Sequence, residues 1–252
     1  MTRSLEGIAS ISFGIGFAVG RGMRHLAILG ILASACTPHV FSPPGRTIPL
    51  EGPATIDEGD TAIQVEGGMS AEVFGEPIVH GTVRLRHGVS DRLELSGEAN
   101  AMFFTLHEDA STDAHRGIYG ARFGVKGGFG EHFSLTGGMA GGGSSGGGFL
   151  SPDVGFIGGY TNPYCIPFFA TRVFFSQPLN TNTITITDNE ETFVGEPQPS
   201  FGVAIATGVR IPFGPRYARH GAVAVGYGFT LIADGDESKG FQGFNVGIEL
   251  KL

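Results

Sequence analysis

Several residue types and patterns are scarce or missing in this sequence. Tryptophan is absent, there are two cysteines, and charged residues make up 16% of the chain. Two cysteines, Cys36 and Cys165, are too few for the disulfide framework of a small secreted domain, and no CxxC or Cys/His metal spacing occurs. The net charge of -8, with no Lys/Arg-rich run in the body of the chain, argues against a nucleic-acid-binding protein.

The apolar segments near the N-terminus are short. Residues 26–35 (LAILGILASA) follow Met23 and two basic residues, and they are too few to span a bilayer as a helix. The run ends in Ala-Ser-Ala-Cys36, which resembles a bacterial lipoprotein signal and implies lipidation of Cys36. The same residues fit an A-x-A cleavage site, which would leave Cys36 unmodified. We therefore interpret residues 1–35 as a signal peptide with an upstream extension, and we favour Met23 as the true start.

Residues 36–60 have a different composition. They are rich in proline and turn-forming residues, as in TPHVFSPPGRTIPLEGPATIDEGD. The segment shows no apolar periodicity, so we expect an extended tether without a core of its own.

From Thr61 to Leu252, apolar and polar residues alternate with the period of two that is typical of β-strands. RLRHGVSDRLELSG, residues 84–97, shows the pattern of a hairpin, in which five residues interrupt the alternation. The pattern predicts about ten strands (eight to twelve), each near the length of a tilted membrane strand. The predicted strands are 61–74, 78–87, 92–105, 116–127, 132–141, 149–160, 165–176, 200–213, 221–233 and 241–252.

The two faces of these strands differ in a way that bears on the environment of the sheet. One face is apolar, whereas the other carries mostly small polar residues and charges of both signs. A soluble sheet would cover its polar face with lysine and glutamate. We expect the opposite charges to pair inside a narrow lumen, because unpaired burial of a charge is costly. The predicted lumen-lining charges are Glu66, Glu72, Arg84, Arg86, Glu94, Glu98, Arg122, Lys126, Arg210 and Glu249.

The connections alternate between tight turns and longer loops, as in outer-membrane barrels with short periplasmic turns and longer outer loops. The Gly-x-Ser-Asp-Arg-Leu-x-Leu pattern of residues 88–95 resembles the periplasmic hairpins of outer-membrane β-barrels of the OmpA/opacity-like type. The resemblance implies that residues 61–252 form a single all-β, antiparallel up-and-down transmembrane β-barrel in the outer membrane of a Gram-negative bacterium. An even strand count would place the N-terminus on the periplasmic side, with a lipid anchor at Cys36.

Three functions are compatible with the alternating strands. The first is a structural or surface-interaction barrel, whose partners are outer-membrane lipid and an extracellular ligand or envelope protein bound by the outer loops 107–115, 141–148 and 177–199. The second is a narrow, porin-like channel tuned by the lumenal charges. The third is a soluble lipocalin-like lipid-binding barrel with its apolar face inward.

Neither catalysis nor a cofactor is predicted. His80, His87, His132 and His220 are scattered and match no catalytic arrangement. The loop at 107–115 contains histidines and carboxylates, which any solvated loop can contain, so we expect no metal site there. The glycine-rich stretch at 123–130 precedes no helix that could help to bind a phosphate.

Overall fold

The computed structural model describes residues 40–46, 50–72, 77–104, 111–112, 117–188, 191–214 and 220–252. The predicted signal region, Cys36 and most of the 107–115 loop lie outside the described residues. Within these ranges, the chain has no helix that is both long and apolar enough to cross a bilayer.

The strands account for most of the described chain, and ten of the fifteen close into one antiparallel barrel. The ten follow one another around the barrel in chain order, and the last pairs with the first, so the predicted all-β, up-and-down barrel is confirmed. The ten barrel strands are β2 (Thr61–Glu72), β3 (Pro77–Ser90), β4 (Leu93–Phe104), β6 (Gly117–Gly128), β7 (Phe133–Ser144), β8 (Gly147–Gly159), β9 (Ile166–Leu179), β13 (Ser200–Phe213), β14 (Gly221–Ala233) and β15 (Ser238–Lys251).

Five short strands lie outside the barrel. They are β1 (Val40–Phe41), β5 (Ser111–Thr112), β10 (Ile184–Asp188), β11 (Glu191–Gly195) and β12 (Pro197–Gln198). β10 and β11 pair as a hairpin and β5 adds to β10, while β1 pairs in parallel with β12. The segment 181–187 (TNTITIT), which includes most of β10, thus contributes to a hairpin outside the barrel.

The two ends of the barrel carry different connections. At one end, called the turn end, lie the connections 91–92, 129–132, 160–165 and 214–220, together with the start of β2 and the end of β15. At the other, called the loop end, lie the connections 73–76, 105–116, 145–146, 180–199 and 234–237. The two longest connections, 105–116 and 180–199, are both at the loop end.

The glycine-rich segment 141–148 was expected to be a flexible loop, and that expectation is wrong. β7 continues to Ser144 and β8 begins at Gly147, so only two residues connect the strands. The ring of Phe149 lies where a side chain on Gly142 would be, since a Cβ there would approach Phe149 Cζ to 2.6 Å. Glycine is thus required for packing within the hairpin rather than for flexibility.

The polarity of the barrel wall is the reverse of that in a soluble β-protein. Val225, Phe229, Val246 and Ile248 all lie on the outer face, where each is exposed. Arg84, buried completely, faces inward. An apolar core beneath a polar exterior, which the soluble alternative requires, is therefore contradicted.

Aromatic side chains concentrate near both rims of this apolar outer face. Near the turn end, Phe129, Tyr160 and Tyr164 are among the most exposed aromatic residues, and the ring of Tyr160 stacks on that of His132. Near the loop end, Phe103 and Tyr119 pack edge to face, with ring centroids 5.7 Å apart. Aromatic girdles of this kind border the apolar band of transmembrane barrels, and here phenylalanine and tyrosine form them without tryptophan.

Candidate functional site

The interior of the barrel is occupied by the chain itself. Residues 40–57, here called the lumenal segment, run through the lumen from the loop end to the turn end, and residues 47–49 within it lie outside the described ranges. The sequence predicts an extended tether for this region. The segment is extended, but most of its described residues are buried against the barrel wall.

At the loop end, serine side chains fix the start of the lumenal segment. The Ser42 hydroxyl lies 2.8 Å from that of Ser176, and the Ser176 hydroxyl is 2.6 Å from the carbonyl oxygen of Pro43. The Ser200 hydroxyl donates a 2.8 Å hydrogen bond to the carbonyl of Ser42. Ser176 and Ser200 are neighbours on β9 and β13. The wall thus satisfies backbone groups that a chain inside a barrel cannot pair by itself.

In the middle of the lumen, the lumenal segment contributes two charges to the wall network. Arg46 Nε lies 2.7 Å from Glu98 Oε2, and Glu51 Oε1 accepts a 2.9 Å hydrogen bond from Arg84 NH1. Between them, Leu50 is fully buried against Phe168 and Ala224. Arg46 and Glu51 therefore both meet partners of opposite sign on the barrel strands.

Near the turn end, the wall binds the backbone of the lumenal segment through charged side chains. Lys126 Nζ donates hydrogen bonds of 2.8 and 2.7 Å to the carbonyl oxygens of Gly52 and Ala54. Glu94 accepts a 3.1 Å hydrogen bond from the backbone N–H of Ile56. These charged groups replace the water that would otherwise solvate an extended backbone.

The strand charges predicted to line the lumen form two ion-pair clusters, while Lys126 binds backbone carbonyl oxygens of the lumenal segment. Nine of the ten lie inside the barrel, and the side chain of Glu72 is outside what the structure describes. Arg84 contacts Glu66 at 2.9 Å, and Arg86 forms a bidentate pair with Glu94, both distances being 2.7 Å. Glu98 also pairs with Arg84 and Arg122 on the two adjacent strands. Glu249 pairs with Arg86 and Arg210, each of which lies two strands away around the barrel.

Four further charged side chains lie in the lumen but are not among the residues predicted from the sequence. Asp153 forms a bidentate pair with Arg122 at 2.7 Å, and Arg172 lies 3.5 Å from Asp153. Both alternate with outward-facing residues on β8 and β9, so the period of two could have identified them. Arg46 and Glu51 carry no such signal, because the lumenal segment has no periodicity.

Apolar side chains and one cavity complete the lumen. Ile78, Met102, Ile118 and Phe149 form a buried cluster among inward-facing residues toward the loop end. At the turn end, a cavity of about 600 Å³ is bordered by the lumenal segment and by charged residues of both signs, including Arg210 and Glu249. The lumen therefore narrows from this vestibule into a region filled by the lumenal segment and inward side chains.

The close approach of Gly45 in the lumenal segment to Ala140 on the barrel wall gives a test of the packing. A Cβ on Gly45 would lie 2.2 Å from Ala140 Cβ, so Gly45→Ala should lower the free energy of unfolding by about 1–3 kcal/mol. Adding Ala140→Gly should restore most of the loss. Gly97→Ala is the control because no atom lies within 4 Å of a Cβ there. Urea unfolding in detergent micelles would measure all four proteins, and an equally stable Gly45→Ala variant would contradict this packing.

His80 and His87 both lie on β3 and make separate contacts. His80 is buried on the inner face of β3, as its strand alternation predicts, and the Nδ1 atom of His87 lies 3.0 Å from the Thr61 hydroxyl at the turn end. In the described part of the chain, no three His, Cys, Asp or Glu side chains are grouped so as to bind a metal. Cys165 is a free, exposed thiol in the turn-end connection 160–165.

Comparison with known proteins gives similarities of structure alone. No protein-family model matches the chain, and no curated protein matches its sequence. Among solved structures, Neisserial surface protein A is 13% identical, with a TM-score of 0.40, and the match covers 77% of this chain and 96% of that one. The N-terminal β-barrel domain of Pseudomonas aeruginosa OprF is 11% identical, with a TM-score of 0.36, covering 77% and 100%. The translocator domain of the autotransporter NalP from Neisseria meningitidis is 10% identical, with a TM-score of 0.49, covering 77% and 89%. Similarity at this level carries no inference about function.

Proposed function

We propose that this protein is an outer-membrane β-barrel that is sealed by its own lumenal segment and acts through its loop end. Its role is that of a rigid mount, which holds the long connections 105–116 and 180–199 at the cell surface for contact with an extracellular ligand or an envelope protein. The observation that carries the proposal is the reversed polarity of the barrel, with apolar side chains outside and a charged network inside.

The membrane location is supported by the outer wall. Every backbone group of a closed barrel pairs with a neighbouring strand, as hydrocarbon requires. Large apolar side chains are exposed on all ten strands, and an apolar surface of this extent would be a liability in water. Phenylalanine and tyrosine near both rims suit the two interfaces of a bilayer.

The filled lumen favours the structural role over the channel. A conducting pore needs a continuous water-filled path, whereas here the lumenal segment crosses the interior and buries Leu50, Glu51 and Pro53 within it. The lumenal charges pair with one another and with the segment, so they act in holding the interior together rather than in selecting ions. We assign no catalysis to the charged lumen.

The orientation is supported by the connections. In outer-membrane barrels the short turns face the periplasm and the longer connections face outward. The two longest connections and the β5–β10–β11 sheet all belong to the loop end. We therefore assign the loop end to the cell surface and the turn end, with Cys165, to the periplasm. Lipidation of Cys36 stays a prediction.

A charge on the outer wall tests the membrane location. Val246→Arg, near the middle of β15, should lower the free energy of unfolding in lipid vesicles by about 2–4 kcal/mol, because the arginine would enter hydrocarbon. Val194→Arg is a matched control, since Val194 on β11 outside the barrel is 56% exposed and Val246 is 55% exposed. The control should change stability by less than about 0.5 kcal/mol. Equal effects at both positions would refute burial of the wall in a bilayer.

A further inference from the structure

The lumenal segment crosses the barrel in a definite direction. Val40 and Phe41 lie at the loop end, where they pair in parallel with Pro197 and Gln198 of the connection 180–199. Asp57 lies at the turn end, where its carboxylate is 3.0 Å from Lys251 Nζ. The segment therefore adds one crossing to the ten made by the barrel strands.

This additional crossing changes the side on which the chain enters the barrel. The even strand count predicts that both termini lie on one side, because β2 begins and β15 ends at the turn end. Leu252 is indeed at the turn end, where its N–H donates a 2.8 Å hydrogen bond to the carbonyl of Thr61. Val40 is at the opposite end. The strand count alone thus misses the end of the barrel at which the lumenal segment begins.

We propose that the lumenal segment begins at the cell surface, so that Val40 and Phe41 are displayed there beside the connection 180–199. This inference rests on the proposed function for the assignment of the loop end to the outside. The parallel pair of β1 with β12, which joins Val40 and Phe41 to the connection 180–199, then belongs to the outer surface.

The contacts along the lumenal segment make this crossing a fixed part of the fold. Polar groups of the wall bind it at the loop end through Ser176 and Ser200, in the middle through Glu98 and Arg84, and at the turn end through Lys126. Withdrawing the segment from the lumen would break all of these contacts at once. The segment is therefore held in place and does not slide through the barrel.

Labelling of single cysteines on intact cells tests the direction of entry. A membrane-impermeant maleimide would be applied to Val40→Cys, with Asn182→Cys as the loop-end reference and Glu58→Cys as the turn-end reference. All three are made in a Cys165→Ser parent, which retains Cys36 and sets the background. Val40→Cys and Asn182→Cys should react on intact cells. Glu58→Cys, and Cys165 in the unaltered protein, should react only after the outer membrane is permeabilised.

A second readout covers the case in which the half-buried Val40 position reacts slowly. An epitope inserted directly before Val40 should bind its antibody on intact cells. If Asn182→Cys reacts on intact cells while the epitope and Val40→Cys are reached only after permeabilisation, this inference fails and the proposed function stands. If Asn182→Cys is protected on intact cells and Glu58→Cys reacts, the proposed orientation itself is wrong.

Discussion

A variant that lacks residues 41–54 should give discrete conductance steps in a planar lipid bilayer, whereas the full chain should give none above background. In the full chain, the lumenal segment places its backbone and the side chains of Arg46, Leu50 and Glu51 inside a ten-stranded barrel. Small barrels are filled by side chains, and a barrel that loses its filling admits water. The deletion removes the filling and leaves the wall complete.

The wall should survive this deletion because most of its charges keep partners within it. Arg84 loses Glu51 but keeps Glu66 and Glu98, and Glu98 loses Arg46 but keeps two arginines on neighbouring strands. Lys126 loses both carbonyl acceptors, which water entering the lumen can replace. A heat-modifiable shift in gel mobility would show that the variant is a folded barrel before its conductance is measured.

Removal of the β10–β11 hairpin, residues 184–195, is the matched control. It deletes a segment of similar length at the loop end but leaves the lumenal segment in place. This control should remain without conductance. If the full chain conducts as well as the deletion variant does, or if the folded deletion variant stays closed, the lumenal segment does not seal the barrel.

The barrel itself could be predicted because its signal is local and repeated. Alternation along each strand sets which residues share a face, so Leu85 and Leu93 could be assigned to one face and Arg84 and Arg86 to the other. Pairing of opposite charges followed from the cost of burying an unpaired charge. The same reasoning places Asp153 and Arg172 in the lumen, because both alternate with outward-facing residues on β8 and β9.

The lumenal segment could not be predicted because its position depends on distant contacts. Ser42 meets Ser176 and Ser200, which are more than a hundred residues away in the sequence. Its proline-rich composition indicates an extended chain, and an extended chain looks the same in sequence whether it lies in water or inside a barrel. Arg46 and Glu51 are recognised as structural charges only when their partners Glu98 and Arg84 are known.

Glu98→Gln should cause the largest loss of stability among single substitutions in the lumen, about 3–5 kcal/mol, because it breaks a buried ion-pair network at its centre. The Glu98 carboxylate is fully buried between three guanidinium groups, 2.7 Å from Arg46, 3.3 Å from Arg84 and 2.9 Å from Arg122. Glutamine keeps the size of the side chain but removes the charge, so three buried cations lose their shared partner. Urea unfolding in lipid vesicles would measure the loss.

The ion pair of Asp57 with Lys251 at the turn end provides the control. It shows what the loss of a carboxylate costs when the carboxylate is exposed to water. Asp57 is exposed and its pair with Lys251 is accessible to water, so Asp57→Asn should cost no more than about 1 kcal/mol.

The double variant Arg46→Met with Glu98→Gln should lose less stability than the sum of the two single losses, because each substitution removes part of the same interaction. If the two losses add, Arg46 and Glu98 are energetically independent. The pair of Arg46 with Glu98 would then not hold the lumenal segment in place, and Arg46 could be replaced without displacing the segment from the barrel.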